Sequence, residues 1–104
     1  MTRLRWTELA NADFLGIIEW LKARNPAAAA QVGRHILDNA ELLTDFPHLG
    51  KPGRSQDTRE LPVSSFPYLI VYSVRQDTAA DQPQAVVFLR VLHGAMLWPP
   101  LTTP

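Results

Sequence analysis

The run Gln84–Trp98, QAVVFLRVLHGAMLW, constrains this chain more than any other stretch. From Ala85 to Leu92 every residue except Arg90 is apolar, and β-branched and aromatic side chains dominate. That density fits a strand buried on both faces within a sheet. Strict alternation would place Val86, Phe88, Arg90 and Leu92 on one face, and Val87, Leu89, Val91 and His93 on the other. A charge buried without a partner is strongly destabilising. Arg90 therefore either pairs with a carboxylate or opens onto a cleft. His93, just before Gly94, is either the edge of a site or the residue that finishes the strand.

Composition narrows the function classes. A chain of 104 residues, 46% hydrophobic and 19% charged, makes one folded domain. Ten basic and ten acidic residues give a formal net charge of zero, which speaks against broad contact with nucleic acid phosphates. The absence of cysteine excludes disulfide and thiol chemistry. The start, MTRLRW, lacks the apolar stretch of a signal peptide. No apolar run nears the ~20 residues of a membrane span. A cytoplasmic protein without a membrane partner is expected.

In chain order, Arg3–Trp6 alternates basic and apolar and reads as an edge strand. Thr7 offers an N-cap hydroxyl, and Ala10, Phe14, Ile17, Ile18 and Leu21 form one apolar helical face, with Asp13, Glu19 and Lys22 off the stripe. The helix should stop near Arg24. Asn25-Pro26 then starts a second helix, an N-cap followed by proline at the first helical position. Ala29, Val32, Ile36, Ala40 and Leu43 mark its core stripe, with Leu37 beside it, and Ala29 and Gly33 would let the two helices approach closely. Asp45–Asp57 holds two prolines and two glycines and reads as a loop containing His48. Thr58–Val63 and Tyr68–Val74 are strand-like and joined by a short link, and a polar turn-rich segment leads to the strand at Ala85. The spacing predicts an α+β domain: an N-terminal strand, a helical hairpin, then a three-stranded antiparallel meander, with the helices packed on one face of the sheet. Arg59 and Arg90 would pair with Glu60, Asp57 or helix carboxylates, or else stand with Tyr68 and Tyr72 on the sheet's other, open face. The histidines at 35, 48 and 93 have no partners at metal-ligand spacing, so neither metal nor cofactor is expected.

Taken together, Trp6-Thr7 with Ala10, Asn25-Pro26 with the following alanines, Leu43 then Pro47 and Gly50, Thr58-Arg59-Glu60-Leu61, Pro67-Tyr68 with Tyr72, and Leu89–His93 closing on Trp98-Pro99 resemble the RelE/ParE superfamily of toxins from type II toxin–antitoxin modules. The resemblance treats residues 1–104 as one toxin domain, with a core at about 3–99 and a short proline-ended tail. It implies the same strand–hairpin–meander fold and two function classes. RelE-like members are ribosome-dependent mRNA endonucleases. In that class His93 would move the proton, and Arg59 and Arg90 would clamp the phosphate. ParE-like members poison DNA gyrase. Zero net charge, only two lysines, and Gly94-Ala95-Met96 after the histidine bring this chain closer to the ParE-like branch. The resemblance then implies growth inhibition and plasmid stabilisation through gyrase, no catalytic site, a cognate antitoxin partner, and contact with DNA only through that antitoxin. It points to Arg59, Arg90, Tyr68, Tyr72 and Trp98 as residues that meet antitoxin or target.

Overall fold

A computed structural model describes residues 2–63, 65–76 and 84–93. Its elements are β1 (Arg3–Trp6), α1 (Glu8–Arg24), α2 (Pro26–Leu42), β2 (Lys51–Pro52), β3 (Arg59–Pro62), β4 (Tyr68–Gln76) and β5 (Gln84–His93). They form one five-stranded sheet in the order β1-β5-β4-β3-β2. The meander β3-β4-β5 is antiparallel, as the spacing predicts. β1 instead runs parallel to β5, Arg3 opposite Ala85 and Trp6 opposite Phe88. The fifth strand is the two-residue β2, taken from the proline- and glycine-rich loop; it pairs Lys51 with Glu60 and Pro52 with Arg59.

The helix boundaries follow local chemistry. Thr7 Oγ1 accepts from the Ala10 N–H at 3.1 Å and donates to the Phe88 carbonyl at 2.8 Å, so one hydroxyl caps α1 and ties it to β5. Asn25 serves both helices. Its N–H donates to the Leu21 carbonyl, closing α1, and its Oδ1 accepts from the Ala28 N–H, opening α2. At Gly33 an added Cβ would lie 3.2 Å from Ile18 Cδ1, a tight contact across the hairpin.

The hairpin packs on the sheet through the expected stripes. Ala10, Val32, Ile36, Ala40 and Leu43 are buried with Ile70, Tyr72, Val86, Phe88 and Val91, and Phe14, Ile17 and Leu21 lie half-buried against them. Leu37, beside the α2 stripe, is exposed. Trp6 stacks on Phe88 with ring centroids 4.5 Å apart, holding the edge strand to the core.

Strict alternation along β5 does not hold. Tyr72 faces Phe88, but the preceding Val71 faces Arg90, so Leu89 is an extra residue in a bulge. The bulge reverses the parity after Phe88. Val86, Phe88 and Val91 consequently share the helix-facing core, which simple alternation would forbid. The second sheet face is not an open one either. Val71, Ser73, Ala85, Val87 and Leu92 are all buried. Ala85 stands between Arg3 and Arg75, and Val87 between Arg5 and Ser73, so that long arginine stems border the small apolar residues of this face.

Candidate functional site

Arg90 takes the structural one of its two readings. Its Nε donates to Asp13 Oδ2 at 2.7 Å and its NH2 to Asp13 Oδ1 at 3.0 Å, a two-pronged ion pair. Asp13 Oδ2 also accepts from the Val91 N–H at 3.0 Å. β1 ends opposite Phe88, so beyond that point the Asp13 carboxylate takes the place of a strand partner on the outer edge of β5. The hydrogen bond to Asp13 also raises the Arg90 pKa, keeping the guanidinium charged. Asp13 is not off the apolar stripe, as the sequence suggests. It lies three residues after Ala10 and four before Ile17, on the stripe's flank, and that spacing is the signal that could have found it.

Arg59 opens β3 opposite Tyr72. Its NH1 donates to the Gly50 carbonyl at 2.6 Å and the His48 carbonyl at 3.3 Å, rather than to Glu60 or Asp57. The Tyr72 hydroxyl donates to the Pro47 carbonyl at 2.9 Å and accepts from the Gly50 N–H at 2.8 Å. Two neighbouring residues on adjacent strands thus hold the Pro47–Gly50 loop by its backbone. Only glycine fits at its end: a Cβ on Gly50 would come within 2.9 Å of both the Glu60 carbonyl and the Tyr72 ring. Burial raises the Tyr72 pKa, against the lowering effects of the Gly50 hydrogen bond and the Arg59 charge.

Glu60, the next residue, points the other way and is buried. Its carboxylate accepts from the Arg54 N–H at 2.9 Å and lies 3.4 Å from Arg54 Nε, so the buried charge is compensated within the loop before β3. Beside the start of β3 lies a cavity of about 880 Å³, lined by His48, Asp57, Arg59, Ser73, Arg75 and Leu89 among others. Arg75 reaches it from the far part of β4 and donates from Nε to Ser73 Oγ at 3.0 Å. Arg75 carries no signal of this role in the sequence, because it stands where the apolar run of β4 gives way to polar residues.

The remaining expected site residues fall elsewhere. Tyr68 and Tyr72 share a face, but it is the helix-facing one, and both belong to the core rather than to an open surface. His93 is exposed at the end of β5, its ring edge-on to Tyr68 at 5.6 Å. Trp98 lies outside the described residues. His93 is opposite Tyr68 and Arg59 opposite Tyr72, so four strand residues, roughly 13 Å of rise, separate their levels in the sheet. Arg59, Arg90 and His93 thus do not converge on one point. Among the described residues no helix is long and apolar enough to cross a membrane.

Comparison with known proteins matches this arrangement to one family. Residues 4–98 fit the sequence model described as the ParE toxin of the type II toxin–antitoxin system, parDE. A chain of Sinorhizobium fredii named "Putative toxin Y4kP" is 34% identical over 97 residues, covering 93% of each chain. A solved structure titled "Chromosomal ParDE TA system from P. aeruginosa" superposes with a TM-score of 0.73 at 20% identity, covering 89% of this chain and 96% of that one, and so shares the fold. The family match spans nearly the whole chain, from β1 through β5, and the chain accordingly belongs to the ParE-like branch of the RelE/ParE superfamily, the toxins of type II toxin–antitoxin systems.

Proposed function

We propose that this toxin acts in the cytoplasm, arrests growth by poisoning DNA gyrase, and is held inactive by a cognate antitoxin that carries any contact with DNA. The observation that carries the reading is the ParE family match across residues 4–98. A ParDE toxin–antitoxin system with the same fold supports the antitoxin partner. The dispersal of Arg59, Arg90 and His93 favours gyrase over mRNA, because cutting RNA through its ribose 2′-hydroxyl needs a base, an acid and cations gathered on one phosphate.

Two assays on the purified chain test this. Gyrase supercoiling should fall in proportion to added toxin, and mRNA in a translating extract should stay intact. Induction alone should give filamentous cells and a DNA-damage response, relieved by co-expression of the neighbouring antitoxin gene. Codon-positioned mRNA cuts with normal supercoiling would overturn the reading. Cutting abolished by His93→Gln, with the fold intact, would then identify a RelE-like nuclease.

A further inference from the structure

The cavity beside β3 exists because β3 is shorter than its neighbour. The Val63 N–H donates to the Tyr68 carbonyl. In an antiparallel pair this bond fixes which β4 residues turn their backbone groups toward β3: Tyr68, Ile70, Tyr72 and, continuing, Val74 and Gln76. The β3 ladder ends with Arg59 opposite Tyr72. The Thr58 carbonyl is taken by the Gly53 N–H, in the turn whose residues Ser55, Gln56, Asp57 and Thr58 line the cavity. β4 continues to Gln76 with only β5 beside it, Ser73 opposite Val87 and Gln76 opposite Gln84. Val74 and Gln76 therefore aim N–H and C=O groups at a side where, among the described residues, no strand stands.

The lining of the cavity states the charge of what fits there. Arg59 and Arg75 stand against one carboxylate, Asp57, with His48 on the wall. Arg59 uses NH1 on loop carbonyls and Arg75 uses Nε on Ser73. A guanidinium carries five N–H donors, so both retain capacity for an acceptor. A small anion would answer the N–H groups of this edge but leave its carbonyls unmatched. An added strand answers both. Arg59 shares the sheet face of Tyr72, and Arg75 the opposite face, so acids at neighbouring positions of an added strand would reach both.

We infer that the free edge of β4 takes an extended acidic peptide segment as an added strand, bonded to the backbone of Val74 and Gln76 and by its carboxylates to Arg59 and Arg75. The segment belongs to the antitoxin; the inference rests on the functional reading above for that source alone, while the recognition chemistry stands on the geometry.

The probe is a short synthetic peptide with a central run of glutamates between valines and threonines, titrated into the full chain by fluorescence anisotropy. It should bind, and its counterpart with lysines in place of glutamates should not. Arg75→Glu should weaken binding ~10-fold or more, as expected for reversing one member of a close charge pair. Bound peptide should slow amide exchange at Val74 and Gln76. Val74→Pro removes an outward N–H and should abolish binding, at some cost in melting temperature because the Val74 side chain also packs against the core. If that variant fails to fold, Arg75→Glu and the exchange data decide alone. Equal binding of the lysine peptide, undiminished binding to Arg75→Glu, or unaltered exchange at both amides would overturn the inference. Neither gyrase nor antitoxin is in the sample, so failure of the functional reading in cells would leave this result standing, and the reverse.

Discussion

Asp13 and Arg90 lie 77 positions apart in the chain and meet through two hydrogen bonds of 2.7 and 3.0 Å. Their side chains are only 14% and 20% exposed, respectively. The pair fixes α1 against the last strand at the point where β1 has run out. Its geometry is that of a two-pronged guanidinium–carboxylate fork, the strongest arrangement open to such a pair.

Removing one partner from a largely buried ion pair leaves the other uncompensated. Asp13→Ala also strips the Val91 N–H of its acceptor. The substitution should cost about 3 kcal/mol in urea unfolding. The double variant with Arg90→Ala should cost less than the sum of the singles. A sum that is simply additive would show that the pair does not act as a unit.

Tyr72 gives a pH-dependent prediction. Burial raises its pKa above the usual 10.0. The folded chain therefore holds the phenolic proton where the unfolded chain has begun to release it. The stability this contributes is complete below pH ~10 and is lost as pH rises through the higher folded value. Tyr72→Phe should remove this alkaline loss. At neutral pH it should cost ~1–3 kcal/mol, because the Gly50 N–H loses its acceptor in a buried setting. Thermal melts of both proteins from pH 7 to 11 would check it, and identical alkaline slopes would rule it out.

Leu43 is fully buried at the C-terminal end of α2. Leu43→Ala should cost ~2–5 kcal/mol through lost transfer energy and the cavity left behind. An unchanged unfolding midpoint would mean that the end of α2 does not carry the core as described.

Much of this fold is legible in the sequence because local chemistry and long-range packing agree. Thr7, Asn25 and Pro26 cap helices by short-range rules, and the apolar stripes of Ala10–Leu21 and Ala29–Leu43 name the hairpin's buried side before any sheet is known. Legibility stops where one residue changes a period. The bulge at Leu89 inverts the faces of Arg90 and His93 relative to simple alternation, and nothing in VVFLRV marks where the extra residue falls. The sequence pattern places Tyr72 and Arg59 together on one surface. They are neighbours, but their shared task is to hold the backbone of Pro47–Gly50, a role set by a loop whose path no local pattern encodes. β2 is hidden for the same reason, since a strand containing proline and only two residues long carries no periodicity of its own.

The parallel pairing of β1 with β5 also orders events during synthesis. The ribosome makes Arg3–Trp6 long before Ala85–Phe88, the segment it pairs with. Until those late residues emerge, the opening strand has no neighbour to bond to, and the Thr7 hydroxyl lacks the Phe88 carbonyl that anchors α1. Closing so long a loop is entropically costly and slow compared with forming the hairpin between the two helices. A nascent chain stalled before Ala85 therefore holds at most a helical pair and an incomplete meander. Translation products of this toxin that stop before Ala85 should be unfolded and open to proteolysis, so that the finished sheet comes only once β5 has been made.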